Sequence, residues 1–125
     1  MKFAIDKHDK YIVFQLDEQK LNSLIAPKLK SELILINTEG QCNIIMDLSE
    51  VQYIDSSGLG SLLVGHRLCK NSEGLFILTN MNENITRLIH ISQLEEVLNI
   101  VPTNDEAVDL IFMEEIEKEL KRETR

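Results

Sequence analysis

The chain has 125 residues, the size of one compact domain, and 43% of them are hydrophobic, which is enough for a single core. Its 13 lysines and arginines against 21 aspartates and glutamates give a formal net charge of −8, so general binding to nucleic acid or to a membrane surface is disfavoured. No apolar run approaches the roughly 18 to 20 residues of a membrane span, and the N-terminus meets a charge too early for a signal peptide, which predicts a cytoplasmic protein.

The first third of the chain predicts two strands followed by a helix. A short strand at Lys2–Asp6 precedes a turn at residues 8–10 and a second strand at Tyr11–Asp17, which is rich in β-branched and aromatic residues. Pro27 suits the first turn of a helix, and we expect that helix to span Ala26–Asn37. Its apolar residues recur at helical spacing and are Leu29, Leu33 and Ile36.

The middle of the chain predicts two buried strands on either side of a second helix. The nearly continuous apolar run Cys42–Leu48 is typical of a strand buried on both faces, and Asp47 marks its carboxyl end. A brief stretch, Val51–Ile54, leads into residues that begin a helix reaching about Asn71. The next buried strand is predicted at Leu75–Thr79.

The last third of the chain predicts two more helices and a final strand. Asn82 or Asn84 can cap a third helix, Leu98–Val101 is the candidate strand, and residues 103–106 resemble the start of a fourth helix. Residues 114–125 are mostly charged, and we expect them to form a C-terminal helix end that frays. The alternation of strands and helices predicts one α/β domain over residues 1–125 with a largely parallel or mixed sheet.

The junction between the Val51–Ile54 stretch and the second helix is the most informative part of the sequence. It begins with Asp55 and has small residues throughout the first helical turn. A helix start has unpaired backbone N–H groups and a positive dipole end, so it suits an anion, including a phosphate on a serine hydroxyl. Ser56 and Ser57 both offer that hydroxyl. The alternative is that Asp55 or Ser56 only caps the helix.

Other chemistries are poorly supported by the sequence. Phosphate-binding loops of nucleotide enzymes are missing, and the dinucleotide fingerprint fails because position 63 is leucine, so no cofactor is expected. The nucleophile-elbow motif of hydrolases, Gly-x-Ser-x-Gly, is only half matched around Ser56, and no catalytic residue is assigned. His66 and Cys69 form one helical pair without further ligands, so we expect no metal site. Cys42 and Cys69 are interpreted as reduced thiols.

Helical geometry divides the second helix into two sides, at about 100° per residue. The side interpreted as a docking face carries Ser56, Gly60, Val64 and Arg67. The side interpreted as core carries Leu59, Leu62, Leu63 and His66, the histidine at the core's rim with one hydrogen bond. Glycine is costly inside a helix, so Gly60 and Gly65 indicate close approach of either a partner or the protein's own sheet.

The segment from Ile44 to Leu63, IIMDLSEVQYIDSSGLGSLL, resembles the signature of the STAS domain and is most similar to bacterial anti-sigma factor antagonists. The resemblance covers nearly all of the chain. It implies a STAS-like α/β fold, with a four- to five-stranded mixed sheet and about four helices.

In such antagonists the serine directly after the aspartate is phosphorylated by a partner that is both a serine kinase and an anti-sigma factor. The resemblance therefore implies Ser56 as the phosphoacceptor, with Ser57 as the alternative. Unphosphorylated protein binds the partner and releases a sigma factor, and a metal-dependent serine/threonine phosphatase restores that form. The protein is then a switch and a substrate, not an enzyme. The implied partner-binding residues are Asp55, Ser56, Ser57, Gly58, Gly60, Val64, Arg67 and Asn22.

One position departs from the family's pattern. Asn22 stands where an acidic residue is usual after the second strand, so this loop does not supply a carboxylate. Two other hypotheses are kept beside the antagonist. The first is an unphosphorylated STAS interaction subunit of a membrane lipid-transport complex, and the second is a small hydrolase that uses Ser56.

Overall fold

The structure is a computed structural model, and it describes residues 1–123. The four helices are α1 (Ala26–Thr38), α2 (Ser56–Asn71), α3 (Glu83–Ile91) and α4 (Asn104–Glu123). The strands are β1 (Phe3–Lys7), β2 (Ile12–Leu16), β3 (Lys20–Leu21), β4 (Ile44–Asp47), β5 (Tyr53–Ile54), β6 (Phe76–Thr79) and β7 (Asn99–Ile100). The charged end predicted at residues 114–125 is helical as far as Glu123, and residues 124–125 lie outside the described part.

The main sheet has five strands in the order β1-β2-β4-β6-β7. Strands β1 and β2 pair antiparallel, whereas β2, β4, β6 and β7 run parallel to one another. The predicted mixed α/β sheet with four helices is therefore confirmed. Because β4 and β6 lie between parallel neighbours, helices cover both of their faces and every residue of the two strands is buried.

Successive residues of β4 face opposite sides of the sheet and so divide the core in two. Ile44 and Met46 belong to the main core, which also contains the buried residues of α1, α2 and α3. Ile45 belongs to a smaller core in which α4 packs through Ala107 and Ile111. Helices α2 and α4 therefore cover opposite faces of the sheet.

The β4 strand is shorter than predicted. Cys42 and Asn43 precede it. The Asn43 carbonyl still accepts from the Ile12 N–H at 3.1 Å, and the Asn43 side chain contacts the segments on both sides. Its Oδ1 accepts from the Leu75 N–H at 2.8 Å, and its Nδ2 donates to the Lys10 carbonyl at 2.9 Å. This places Cys42 in a loop, where the sequence interpretation had it within a strand.

A second, two-stranded sheet was not predicted. Strand β3 pairs parallel with β5, with Lys20 opposite Tyr53 and Leu21 opposite Ile54. This pairing places Asn22, which follows β3, near Asp55, which follows β5 and precedes α2. No helix within residues 1–123 is long and apolar enough to cross a membrane.

Candidate functional site

Asp55 is the N-cap of α2. Its backbone is extended, with φ −100° and ψ −175°, and its Oδ1 accepts from the Gly58 N–H at 2.9 Å. This contact satisfies one of the unpaired donors at the helix start. The sequence left open whether Asp55 or Ser56 caps the helix. The structure shows that Asp55 is the cap and that Ser56 is not.

Ser56 and Ser57 are both exposed in the first turn of α2. Within the described part of the chain, neither hydroxyl has a hydrogen-bond partner in the structure. Nearby Ser61 differs, because it is fully buried and its hydroxyl donates to the Gly58 carbonyl at 2.6 Å. Only the first two serines of this helix are thus available to another molecule.

Gly58 allows the start of α2 to lie directly on β3. A Cβ at this position would be 2.1 Å from the Leu21 carbonyl oxygen, a distance that no side chain can occupy. The Asp55 N–H also donates to that oxygen, at 3.3 Å. Gly58 is consequently buried, and it can serve a partner only by positioning the two serines beside it.

Asn22 shapes the neighbouring loop. Its Oδ1 accepts from the N–H groups of Leu24 at 3.0 Å and Ile25 at 3.3 Å, a turn that leads the chain into α1. The side-chain oxygen is thus used locally, and within residues 1–123 the Asn22 Nδ2 makes no hydrogen bond. Asn22 can donate a hydrogen bond near the start of α2 but provides no negative charge there.

The outer side of α2 is open, as its sequence pattern predicted. Ser56 and Arg67 are exposed, Gly60 and Val64 are half-buried, and a Cβ built on Gly60 has no heavy atom within 4 Å. Close packing on the protein's own sheet therefore does not explain Gly60. It does explain Gly65, whose Cβ would lie 2.5 Å from the Phe76 ring.

The inner side of α2 differs in part from the prediction. Leu59 and Leu62 are buried as expected, whereas Leu63 and His66 are only half-buried at the margin of the core. Burial, with the charges of Lys70 and Arg67, lowers the pKa of His66 and keeps its ring neutral. The hydrogen bond predicted for this histidine is not found at Nδ1, which is buried and has no hydrogen-bond partner among residues 1–123.

Exposed apolar side chains lie on the paired segments that lead into α1 and α2, and sequence reasoning missed them. Tyr53, two residues before Asp55, is 55% exposed, and Leu24 in the neighbouring loop is 76% exposed. Ile91 on α3 is 69% exposed and lines a groove of about 320 Å³ together with Tyr53. Exposed apolar groups around an open helix start are typical of a surface that contacts another protein.

The carboxylate of Asp47 is buried at the carboxyl end of β4. The sequence indicated its position at the strand end but not its hydrogen-bond partners. Asp47 accepts from the Ser49 N–H at 3.0 Å, from Asn80 Nδ2 at 3.1 Å and from Asn104 Nδ2 at 3.1 Å. Burial raises the pKa of Asp47, but these hydrogen bonds together outweigh it and leave the pKa below its ordinary value. The network joins the ends of β4 and β6 to the start of α4.

Metal and thiol chemistry find little support in the geometry. Within residues 1–123 there is no group of three or more His, Cys, Asp or Glu side chains placed to hold a metal ion. Both cysteines are free thiols. Burial raises the pKa of Cys69 to about 12, so this thiol is unreactive at neutral pH.

Known proteins share the fold of this chain. The family model of the STAS domain matches residues 2–107. The anti-sigma-B factor antagonist of Staphylococcus epidermidis is 34% identical over 83 residues, which are 65% of this chain and 75% of that protein. An anti-sigma factor antagonist from Mycobacterium paratuberculosis superimposes with a TM-score of 0.78 at 22% identity, covering 88% of this chain and 92% of that one.

A third protein has been solved with its phosphate in place. Bacillus SpoIIAA in the phosphorylated form superimposes with a TM-score of 0.67 at 21% identity, covering 88% of this chain and 99% of that one. The family model and the superpositions both cover most of this chain. The chain belongs to the STAS domain family and has the fold of its anti-sigma factor antagonists.

Proposed function

We propose that this protein is a phospho-switched anti-sigma factor antagonist that acts in the cytoplasm. With Ser56 unphosphorylated, it binds an anti-sigma factor serine kinase and thereby releases a sigma factor. The kinase ends this binding by transferring phosphate to Ser56, and a serine/threonine phosphatase removes the phosphate. The observation that supports this most strongly is the Ser56 hydroxyl, which is exposed in the first turn of a helix that Asp55 caps. Exposed apolar side chains, Tyr53 and Leu24, lie on the adjoining segments.

Ser56 is favoured over Ser57 by its position on the helix. Residues four apart lie on the same side of an α-helix, so Ser56 is above Gly60 and Ser57 is above Ser61. Open space surrounds Gly60, whereas Ser61 is buried. A kinase can therefore approach Ser56 along the outer side of α2 without meeting the rest of the protein.

A phosphate on Ser56 changes the surface more than the fold. It adds about −1.5 to −2 charges next to Asp55, on a chain whose net charge is already −8. The positive end of the α2 dipole favours such an anion by about 0.3 to 1 kcal/mol, so α2 remains folded. Docking is opposed because the added charge must lose its water within a closely packed, partly apolar interface.

In this proposal the chain is the substrate and the chemistry belongs to its partners. The kinase provides the base, the nucleotide and the metal, and the phosphatase provides its own metal. The lipid-transport hypothesis requires the same docking surface without phosphorylation, and the hydrolase hypothesis requires turnover by the isolated protein that depends on Ser56.

Affinity capture from the source cells, with mass spectrometry of both bait and bound proteins, tests the proposal. Wild-type and Ser56→Ala baits should retain an anti-sigma factor with a kinase domain, and Ser56→Asp should retain at least tenfold less. Ser31 is an exposed residue of α1, so Ser31→Asp is the matched control and should bind as the wild type does. Phosphate should be found on Ser56 of the wild-type protein.

Three results would contradict parts of this proposal. Equal capture by Ser56→Asp, with no phosphate on the wild-type protein, would favour a constitutive interaction subunit. Phosphate on Ser57 alone would show that the acceptor is wrong. Ester hydrolysis by purified protein that disappears in Ser56→Ala would favour the hydrolase.

A further inference from the structure

Helix α4 has an apolar stripe on the side that faces away from the sheet. The stripe consists of Phe112, Met113, Ile116 and Leu120, which are 45%, 61%, 59% and 56% exposed. At about 100° per residue they fall within a sector of about 100°, and the stripe is about 12 Å long. They lie beyond residues 2–107, the segment matched by the STAS family model.

The stripe is held in place by the opposite side of the same helix. Ala107 and Ile111 are fully buried against the sheet, which fixes the rotation of α4. The Phe112 ring also meets the Tyr11 ring edge-on, with centroids 6.3 Å apart. These contacts prevent α4 from turning its exposed apolar residues inward, so the stripe stays available to another molecule.

Acidic side chains surround the stripe. In helical projection, Asp109 and Glu123 continue it at its two ends, and Glu117 and Glu119 lie along its two sides. All four are exposed. A groove of about 380 Å³ between α4 and the β1–β2 strands is lined by Asp105 and by Asp6, which contacts His8 at 2.9 Å.

The basic residues at the end of α4 are arranged differently. Lys118 lies on the side that faces the protein, where it pairs with Glu115 at 3.5 Å and donates to the Glu73 carbonyl. Arg122 is paired with Glu119 at 3.3 Å. Lys121 is also exposed in the last turn, but in helical projection it lies farther from the stripe than Glu117 does. Because Arg122 offsets Glu119, the acidic border of the stripe rests on Asp109, Glu117 and Glu123.

We propose that this stripe docks a cationic amphipathic α-helix of a partner protein. Such a helix would cover the apolar side chains with its own apolar side and place lysines or arginines against the acidic border. A second copy of this chain would bring a like-charged border to the contact, and an anionic membrane would be repelled. The site lies on the opposite face of the sheet from Ser56, so it does not rest on the phospho-switch.

Calorimetry with two synthetic peptides tests the proposal at physiological salt. Each peptide has about five helical turns with leucines along one side, and the remaining positions are lysine in one and glutamate in the other. The full chain should bind the lysine peptide at least tenfold more tightly than the glutamate peptide. Ile116→Ser should weaken that binding at least tenfold, and Glu117→Lys should weaken it several-fold.

Exposed positions on α1 and at its C-cap provide matched controls. Leu35→Ser removes an apolar side chain that is 51% exposed, and Glu39→Lys reverses an exposed charge, so both should leave the affinity unchanged. Equal losses in Leu35→Ser and Ile116→Ser would overturn the proposal, as would equal binding of both peptides. A wild-type dimer in sedimentation that Ile116→Ser converts to monomer would also overturn it, by showing that a second copy covers the stripe.

Discussion

Replacing Gly60 by alanine tests whether this glycine serves the protein's own fold or its outer surface. A Cβ at Gly60 meets no heavy atom within 4 Å, so the methyl group introduces no clash. Alanine is favoured over glycine inside a helix by about 0.5 to 1 kcal/mol. We therefore expect Gly60→Ala to raise the free energy of unfolding by about that amount.

Gly65→Ala is the matched control, because it makes the same substitution on the same helix. Its Cβ would lie 2.5 Å from the Phe76 ring, and such overpacking costs about 1 to 3 kcal/mol. Both variants share the gain in helix propensity, so the difference between their unfolding free energies measures the clash alone. Urea unfolding followed by circular dichroism, with an unchanged m-value, provides both numbers.

The reasoning fails if Gly60→Ala loses stability, or if the two variants unfold with the same free energy. A stabilised Gly60→Ala protein would mean that the native glycine is retained for a purpose outside the fold. The proposed function then predicts that Gly60→Glu, which adds bulk and charge on the outer side of α2, folds normally. It should bind the anti-sigma partner at least tenfold more weakly, which corresponds to about 1.4 kcal/mol.

Three further predictions concern the core, the buried carboxylate and the thiols. Leu62→Ala should cost about 2 to 5 kcal/mol of stability in urea unfolding, whereas half-buried Leu63→Ala should cost about 1 kcal/mol; equal costs would contradict the assigned faces of α2. The pKa of Asp47 is lower in the folded protein than in the unfolded chain, so ionised Asp47 stabilises the fold above the unfolded-state pKa. This stabilisation is lost as the pH falls through the folded-state pKa. Asp47→Asn should therefore make the free energy of unfolding less dependent on pH in the acid range. Iodoacetamide at pH 8 should label half-exposed Cys42 in native protein, and Cys69 only after unfolding; native labelling of Cys69 would disprove its burial.

The start of α2 could be predicted from the sequence because its parts are adjacent in the chain. Asp55, Ser56 and Ser57 are consecutive, and capping depends on residues within one helical turn. Strand β3 could not be predicted in this way. It has two residues and no periodicity, and it forms only because it can pair with β5.

Long-range contacts decided the features that the sequence left open. Gly60 and Gly65 are both glycines within α2, but only Gly65 is needed for packing, because it lies against Phe76 on β6. Two of the three hydrogen-bond partners of Asp47 come from positions 33 and 57 residues away. The highly charged composition of residues 114–125 likewise concealed an apolar stripe, because its side chains are spaced by helical turns rather than placed in a run.

The edges of the main sheet limit how this protein can meet others. The two edge strands are β7 and β1. Strand β7 has only two residues, and β1 carries the exposed charged residues Asp6 and Lys7. A short edge and a charged edge both discourage another chain from adding a strand. Recognition by β-augmentation, which reads main-chain hydrogen bonds, is therefore disfavoured, and partners are left to recognise side chains on the helices and loops. The same edges protect the concentrated protein from strand-mediated aggregation.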